Sequence, residues 1–284
     1  MNPSSETFVR HDVAPLRKAV ILARGLGKRM RQSDDAVPLD SSQSAIADVG
    51  IKALLPVGRP FLDYVLSALA DSEYKKVCLV IGPEHQSVRE YFTATAPPQR
   101  IELDFAVQRE PRGTADAVLS AEPFVAGEDF LVINSDNYYP LSALRALRTL
   151  GEPGTVLFQR DALIRASNIP ADRIQSYALC KISPEEYLED LLEKPDDAAL
   201  RSAGAGAFVS MNIWRFSPAI FEACRRVPIS PRGEFELPLA VRSAVRDFGL
   251  RLRVLRSHEG VLDLSCRADI AAVTASLRRI LPRP

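Results

Sequence analysis

Short apolar runs alternate with amphipathic stretches through the first half of the chain. Residues 18–23 (KAVILA) are continuously apolar after the first position and predict a buried strand that runs straight into a Gly-containing loop. In residues 61–70 (FLDYVLSALA), Phe61, Tyr64, Val65, Leu66 and Leu69 fall largely on one helical face. A strand at 77–81, a helix at about 84–92, a strand at 102–107, a helix at 114–121 and a strand at 130–134 follow. Strand and helix in repeated alternation is the pattern of parallel βαβ units. Near-continuously apolar strands fit a sheet covered on both faces.

The second half is less regular. Residues 177–182 and 187–192 predict two strands paired across Ser183-Pro184-Glu185-Glu186, and 207–216 a long strand. Helices are expected at 217–226, 236–248 and 267–281. Neither an internal repeat nor a Pro/Gly/Ser linker divides the chain, so one α/β domain over residues 1–284 with a mixed sheet is expected. Residues 1–17 read as a flexible tail, and the Ser- and Asp-rich segment 31–47 as a mobile loop.

Composition narrows the classes. The 284 residues carry 36 Lys+Arg against 36 Asp+Glu, with 46% hydrophobic and 25% charged residues. That is a globular composition, and zero net charge argues against a general nucleic-acid binder. No apolar stretch reaches the roughly 18 residues of a membrane span, and the N-terminal residues lack the apolar core of a secretory signal. Cys78, Cys180, Cys224 and Cys266 are scattered singly, without a CxxC pair. A cytoplasmic protein is expected.

The chemistry concentrates at predicted strand ends. After the first strand come Gly25-x-Gly27, Lys28 and Arg29. Glycines let backbone N–H groups approach an oxyanion, and the cations could neutralise a polyphosphate. As a bare pattern it reads equally well as a tight turn with surface cations. The spacing matches neither a Walker A loop nor the dinucleotide fingerprint, whose third glycine would fall at Met30. Lys52 precedes the apolar run 53–57, and alone would pass for a surface residue. Gln108 could read a base edge with its amide, Gly113 allows close approach, and Thr114 suits an N-cap. Asp136 lies at the carboxyl end of a strand, where α/β sheets bind ligands and a carboxylate suits Mg²⁺. Asp263 ends another short apolar run, and Glu193-Lys194 follows the strand at 187–192.

In order, these stretches resemble the sugar-1-phosphate nucleotidyltransferase family, with its LAAGxGTRM, PKxLLPVxGKPLL, QxxxxGTAxAV and EKP signatures. The matching segments are LARGLGKRM (22–30), IKALLPVGRPFL (51–62), QREPRGTADAV (108–118), VINSDNYY (132–139) and EKP (193–195). VSMNIWRFSPAIF (209–221), GEFELPLAV (233–241) and LDLSCRADI (262–270) look like the later core segments. With eight motifs in order, the resemblance covers roughly residues 18–280.

The resemblance implies a Rossmann-like three-layer sandwich with a mixed, mainly parallel central sheet; a C-terminal β-helix is not expected. It implies Mg²⁺-dependent transfer of a nucleotide from a nucleoside triphosphate to a sugar 1-phosphate or related cyclitol phosphate, with pyrophosphate released. Arg29 and Lys52 would be catalytic; Leu22, Ala23, Gly25, Gly27, Gln108, Gly113 and Thr114 would bind nucleotide. Glu193, Lys194 and Asn212 would contact the sugar phosphate, and Asp136 and Asp263 would hold Mg²⁺. The nucleophile is already an anion, so no general base is needed, and none of the three histidines receives a role. Alternatives are transfer to a non-sugar phosphate such as phosphocholine, or a catalytically weak regulatory relative. Self-association is expected only because homo-oligomers are common.

The chain departs from the pattern at Arg24, which replaces a small residue, at Lys28 for Thr or Ser, and at Ile51 for Pro. Residues 31–47 lengthen the span from Gly27 to Lys52 and are expected to form a lid that orders over nucleotide. Gln108 suits uracil or thymine.

Overall fold

The computed structural model describes residues 14–34, 37–175, 177–204 and 206–284. Its strands are β1 (Lys18–Leu22), β2 (Lys76–Ile81), β3 (Glu102–Val107), β4 (Phe130–Asn134), β5 (Asn137–Tyr138), β6 (Gly154–Gln159), β7 (Leu179–Ile182), β8 (Leu188–Leu192), β9 (Phe208–Phe216), β10 (Arg253–Ser257) and β11 (Leu262–Asp263). The main sheet runs β10-β6-β9-β4-β1-β2-β3, with β7 and β8 continuing from β9 and a separate β5–β11 pair. β1 pairs in parallel with β2 and β4, while β9 is antiparallel to β4 and β6. The mixed, mainly parallel sheet is the expected architecture.

Every residue of β1 is buried, and the strand's two-residue period feeds two cores. Ala19 and Ile21 join the one containing Phe61, Leu62 and Leu66 of the helix Phe61–Asp71. Val20 and Leu22 join the other, under the helices Thr114–Ser120, Ile220–Arg226 and Leu237–Arg246. Helices therefore cover both faces, and the central strands β1, β2 and β4 stay apolar along nearly their whole length.

The chain leaves β1 toward β2 and β3 on one side, then returns to β4 on the other. That reversal makes the carboxyl ends of β1 and β4 a topological switch point, where such sheets open a crevice. Leu22 pairs with Asn134 in register, and the Ser135 amide donates to the Leu22 carbonyl, fixing the two strand ends side by side.

Several elements differ from expectation. The expected helix at 84–92 is a short helix, Gln86–Glu90, running into a widened π turn, Tyr91–Thr95. β6, β10 and the helix Leu141–Thr149 complete the second half. The segment read as a loop at 31–47 carries a helix, Ser41–Val49, capped by Asp40 and Gln43 and closed by Gly50 in the left-handed region. Of the tail read at 1–17, residues 1–13 lie outside the described residues. Leu16 is buried, and its amide donates to the Arg148 carbonyl, so the tail reading stops short of it.

Candidate active site

A cleft of about 220 Å³ opens at the switch point. Leu22, Ala23, Gly25, Lys52, Gln108, Gly113, Thr114 and Asp136, all singled out from the sequence, line it. Gly27, Arg29, Glu193, Lys194, Asn212 and Asp263 do not.

The two glycines of the first loop differ. A Cβ at Gly25 would have no neighbour within 4 Å, so its backbone faces open space that an oxyanion could fill. Gly27 has φ of 61°, and a Cβ there would overlap the Gly50 carbonyl oxygen. Its lack of a side chain lets the first loop pack on the end of the helix Ser41–Val49. From Gly50 the chain turns at once through the short 3₁₀ segment Lys52–Leu54. Lys52 is thus brought to the β4 end, where its Nζ donates to Asp136 Oδ2.

Asp136 and Asp263 are held together by backbone. The Leu264 amide donates to the Asp136 carbonyl at 2.8 Å, and Asp263 pairs with Asn137 across β5 and β11. Asp263 is 4% exposed; Oδ1 accepts from Asn137 Nδ2 at 3.0 Å and Oδ2 from Arg173 Nη1 at 2.8 Å. Burial, then the neighbouring Asp136 charge, pushes its carboxyl above the ordinary range. Two carboxylates on backbone segments bonded to each other, one of them lining the cleft, form a donor set that would fit a hard divalent cation bound through few protein ligands.

Arg29 donates to Ser265 Oγ at 3.3 Å, beside the Asp263 segment. The Tyr177 hydroxyl is pushed up by burial and by Asp263, and Asp136, Arg173 and Arg29 also act on it. Asn212 has φ of 54° and a buried Oδ1 without a hydrogen-bond partner among the described residues. The neighbouring Tyr139 Oη donates to the Met211 carbonyl at 2.7 Å, with the Asn212 backbone carbonyl and Asn137 Oδ1 each 3.4 Å from it. Glu193 is raised by burial, then by the Glu236 charge. Lys194 is exposed, with φ of 47°.

On the other side, Gln108 Nε2 donates to the Gly113 carbonyl at 2.9 Å and to Asp116 Oδ2 at 2.8 Å. Both amide hydrogens are thereby committed, leaving Oε1 to accept. A Cβ on Gly113 would meet the Phe235 backbone, so the loop before the helix Leu237–Arg246 is seated against this turn. Thr114 is not the N-cap of its own helix, since Gly113 takes that position; its hydroxyl accepts from the Leu237 amide at 2.8 Å. The close Gly113–Phe235 packing delivers the later helix to it.

Three side chains here carried no expected role. Arg173 binds Asp263 and Asp269, which no local pattern in its four-residue helix announces. Glu234 and His85 line the cleft. His85 Nδ1 accepts from the Gly82 amide at 3.3 Å, and burial holds the imidazole below its usual range. Its place directly after β2, at a parallel strand's carboxyl end, was the available signal.

A family model described as nucleotidyl transferase matches residues 18–260. The chain belongs to that family. This nucleotidyltransferase is 25% identical over 253 residues to the UTP–glucose-1-phosphate uridylyltransferase AglF of Haloferax volcanii, covering 89% of the chain and 93% of AglF. It is 24% identical over 238 residues to the bifunctional protein GlmU of Methanococcus vannielii, covering 82% of the chain but only 50% of GlmU. A UDP-glucose pyrophosphorylase solved with UDP-glucose superposes with a TM-score of 0.72 at 16% identity, over 93% of this chain and 99% of that one, which shows the shared fold. Among the described residues, no helix is long and apolar enough to cross a membrane.

Proposed function

We propose that the enzyme transfers a uridylyl group from UTP to a sugar 1-phosphate, releasing pyrophosphate and forming a nucleotide sugar. The observation that carries this reading is the meeting of Gly25, Lys52, Asp136 and Gln108 in one cleft. An open backbone cradle, a cation, a carboxylate and a base-reading amide are what a nucleoside triphosphate needs. The AglF resemblance supports UTP, and so does Gln108, whose free Oε1 suits the ring N–H of uracil.

An oxygen of the sugar 1-phosphate attacks the α-phosphorus in line as the bond to pyrophosphate breaks. The attacking group is already ionised, so positioning and charge neutralisation supply the rate. Lys52 leaves Asp136 for the phosphate, while the backbone at Gly25, with Arg29 nearby, holds the triphosphate. Asp136 and Asp263 would hold Mg²⁺, which supplies further neutralisation of phosphate charge. On the acceptor side, Asn212, Glu193 and Lys194 contact the sugar phosphate.

The test is the thermal midpoint with each of ATP, GTP, CTP, UTP and dTTP, with and without Mg²⁺, followed by pyrophosphate release with glucose 1-phosphate. A ligand at 100 times its Kd stabilises by about 2.7 kcal/mol, a rise of roughly 5 °C for a chain this size. A Mg²⁺-dependent rise with UTP and release of pyrophosphate is expected. A rise with a finished nucleotide sugar but with no triphosphate would replace this reading with a binding role.

A further inference from the structure

Arg24 follows β1 and lines the cleft, yet its side chain is only 6% exposed. Nη2 donates to Glu84 Oε2 and to the Arg109 carbonyl, both at 3.2 Å. Nε and Nη1 are buried and, among the described residues, have no hydrogen-bond partner. Desolvated donors on a cation cost free energy until an acceptor reaches them. Arg24 lines the same cleft as Gln108, and its bond to the Arg109 carbonyl ties it to the residue that follows Gln108, whose Oε1 is left to accept.

We infer that Arg24 is a base-selecting residue, donating from Nε or Nη1 to a base carbonyl adjacent to the ring N–H that Gln108 accepts. The inference rests on the uridine-nucleotide reading of the cleft. Uracil and thymine present a ring N–H flanked by two carbonyls, which matches an acceptor with a donor beside it. Cytosine turns the N3 lone pair toward Gln108 Oε1, adenine has no carbonyl, and guanine flanks its ring N–H with one carbonyl and an amine rather than two carbonyls. Backbone groups of the phosphate loop cannot make this choice, because every triphosphate offers them the same oxygens.

Titration calorimetry of UTP, CTP, 2-thio-UTP and 4-thio-UTP against wild type, Arg24→Ala and Arg24→Lys separates the outcomes. Sulfur is a much weaker acceptor, so wild type should bind one thio analogue about tenfold more weakly than UTP. Arg24→Ala should bind that analogue and UTP within about threefold of each other, with a reduced preference for UTP over CTP. A purely structural role would weaken all four ligands by a common factor and keep the thio penalty, which would overturn the inference. If Arg24→Ala does not melt cooperatively, Arg24→Lys, which keeps the cation beside Glu84, decides by whether the penalty changes. Failure of wild type to bind any triphosphate would instead refute the uridylyltransferase reading, and this inference with it.

Discussion

The ammonium group of Lys52 and the carboxylate of Asp136 form an ion pair across the cleft, with side chains 13% and 21% exposed. Neither lies near the other in sequence. Lys52 arrives through the Gly27–Gly50 contact and the turn after it, and Asp136 at the end of β4. On the proposed reading, a phosphate and a divalent cation entering together would meet matching charges, the anion opposite Lys52 and the cation opposite Asp136. Each half of the pair would gain a new partner as the old one left, so opening it would leave no desolvated charge uncompensated.

Asp136→Asn keeps the shape of the side chain and removes its charge. Turnover should fall by about 10²-fold or more, the scale of losing one electrostatic contact to the reacting group. The melting midpoint should stay within a few degrees of wild type. Steady-state kinetics with UTP and Mg²⁺ check this, and unchanged turnover would remove Asp136 from the metal role.

Gly25→Ala and Gly27→Ala should separate binding from stability. At Gly25 a methyl meets nothing within 4 Å, so folding should be nearly unaffected while triphosphate affinity drops. At Gly27 the left-handed φ costs an alanine about 1–2 kcal/mol, and overlap with the Gly50 carbonyl adds to it. Thermal melts and UTP titrations of both variants check the contrast; a Gly27→Ala melt like wild type would refute the packing argument.

Much of this arrangement was legible in the sequence because it rests on local signals. β3 and β4 fall where the apolar runs place them, and the β7–β8 pairing follows from two runs around a Pro-containing turn. The helix Ser41–Val49 was obscured by its polar composition, although Asp40 with Gln43 three residues on is a capping box written in the chain. Gly27 shows the limit from the other side. Its spacing suggests a phosphate loop, but its requirement for glycine comes from Gly50, a tertiary contact that no window of sequence contains. Arg173 reaches Asp263 over 90 positions and is illegible for the same reason.

The orientation of Gln108 depends on Asp116. With Asp116→Ala, one amide hydrogen loses its acceptor, and the side chain is free to present either end to the base. Preference for UTP over CTP should fall by about 1 kcal/mol or more, the scale of one base-reading contact. Titration calorimetry measures the ratio, and an unchanged preference would mean that the Gly113 carbonyl orients the amide alone.

His85 gives the pH dependence a definite sign. Burial lowers its pKa in the folded protein, with the Arg24 and Arg31 charges in the same direction and Glu84 opposing. The unfolded chain therefore binds the proton more readily, at an ordinary pKa of about 6.5. Stability from the neutral imidazole is fully present above that value and is lost as pH falls through it toward the folded pKa. Asp263 and Glu193 are displaced upward and also affect the melting curve, but they are common to wild type and His85→Gln and cancel in the difference. The melting midpoint of wild type minus that of His85→Gln should therefore decrease between pH 7.5 and 5.5. A difference that stays constant would mean that the imidazole titrates alike in both states, and that its burial does not hold it neutral.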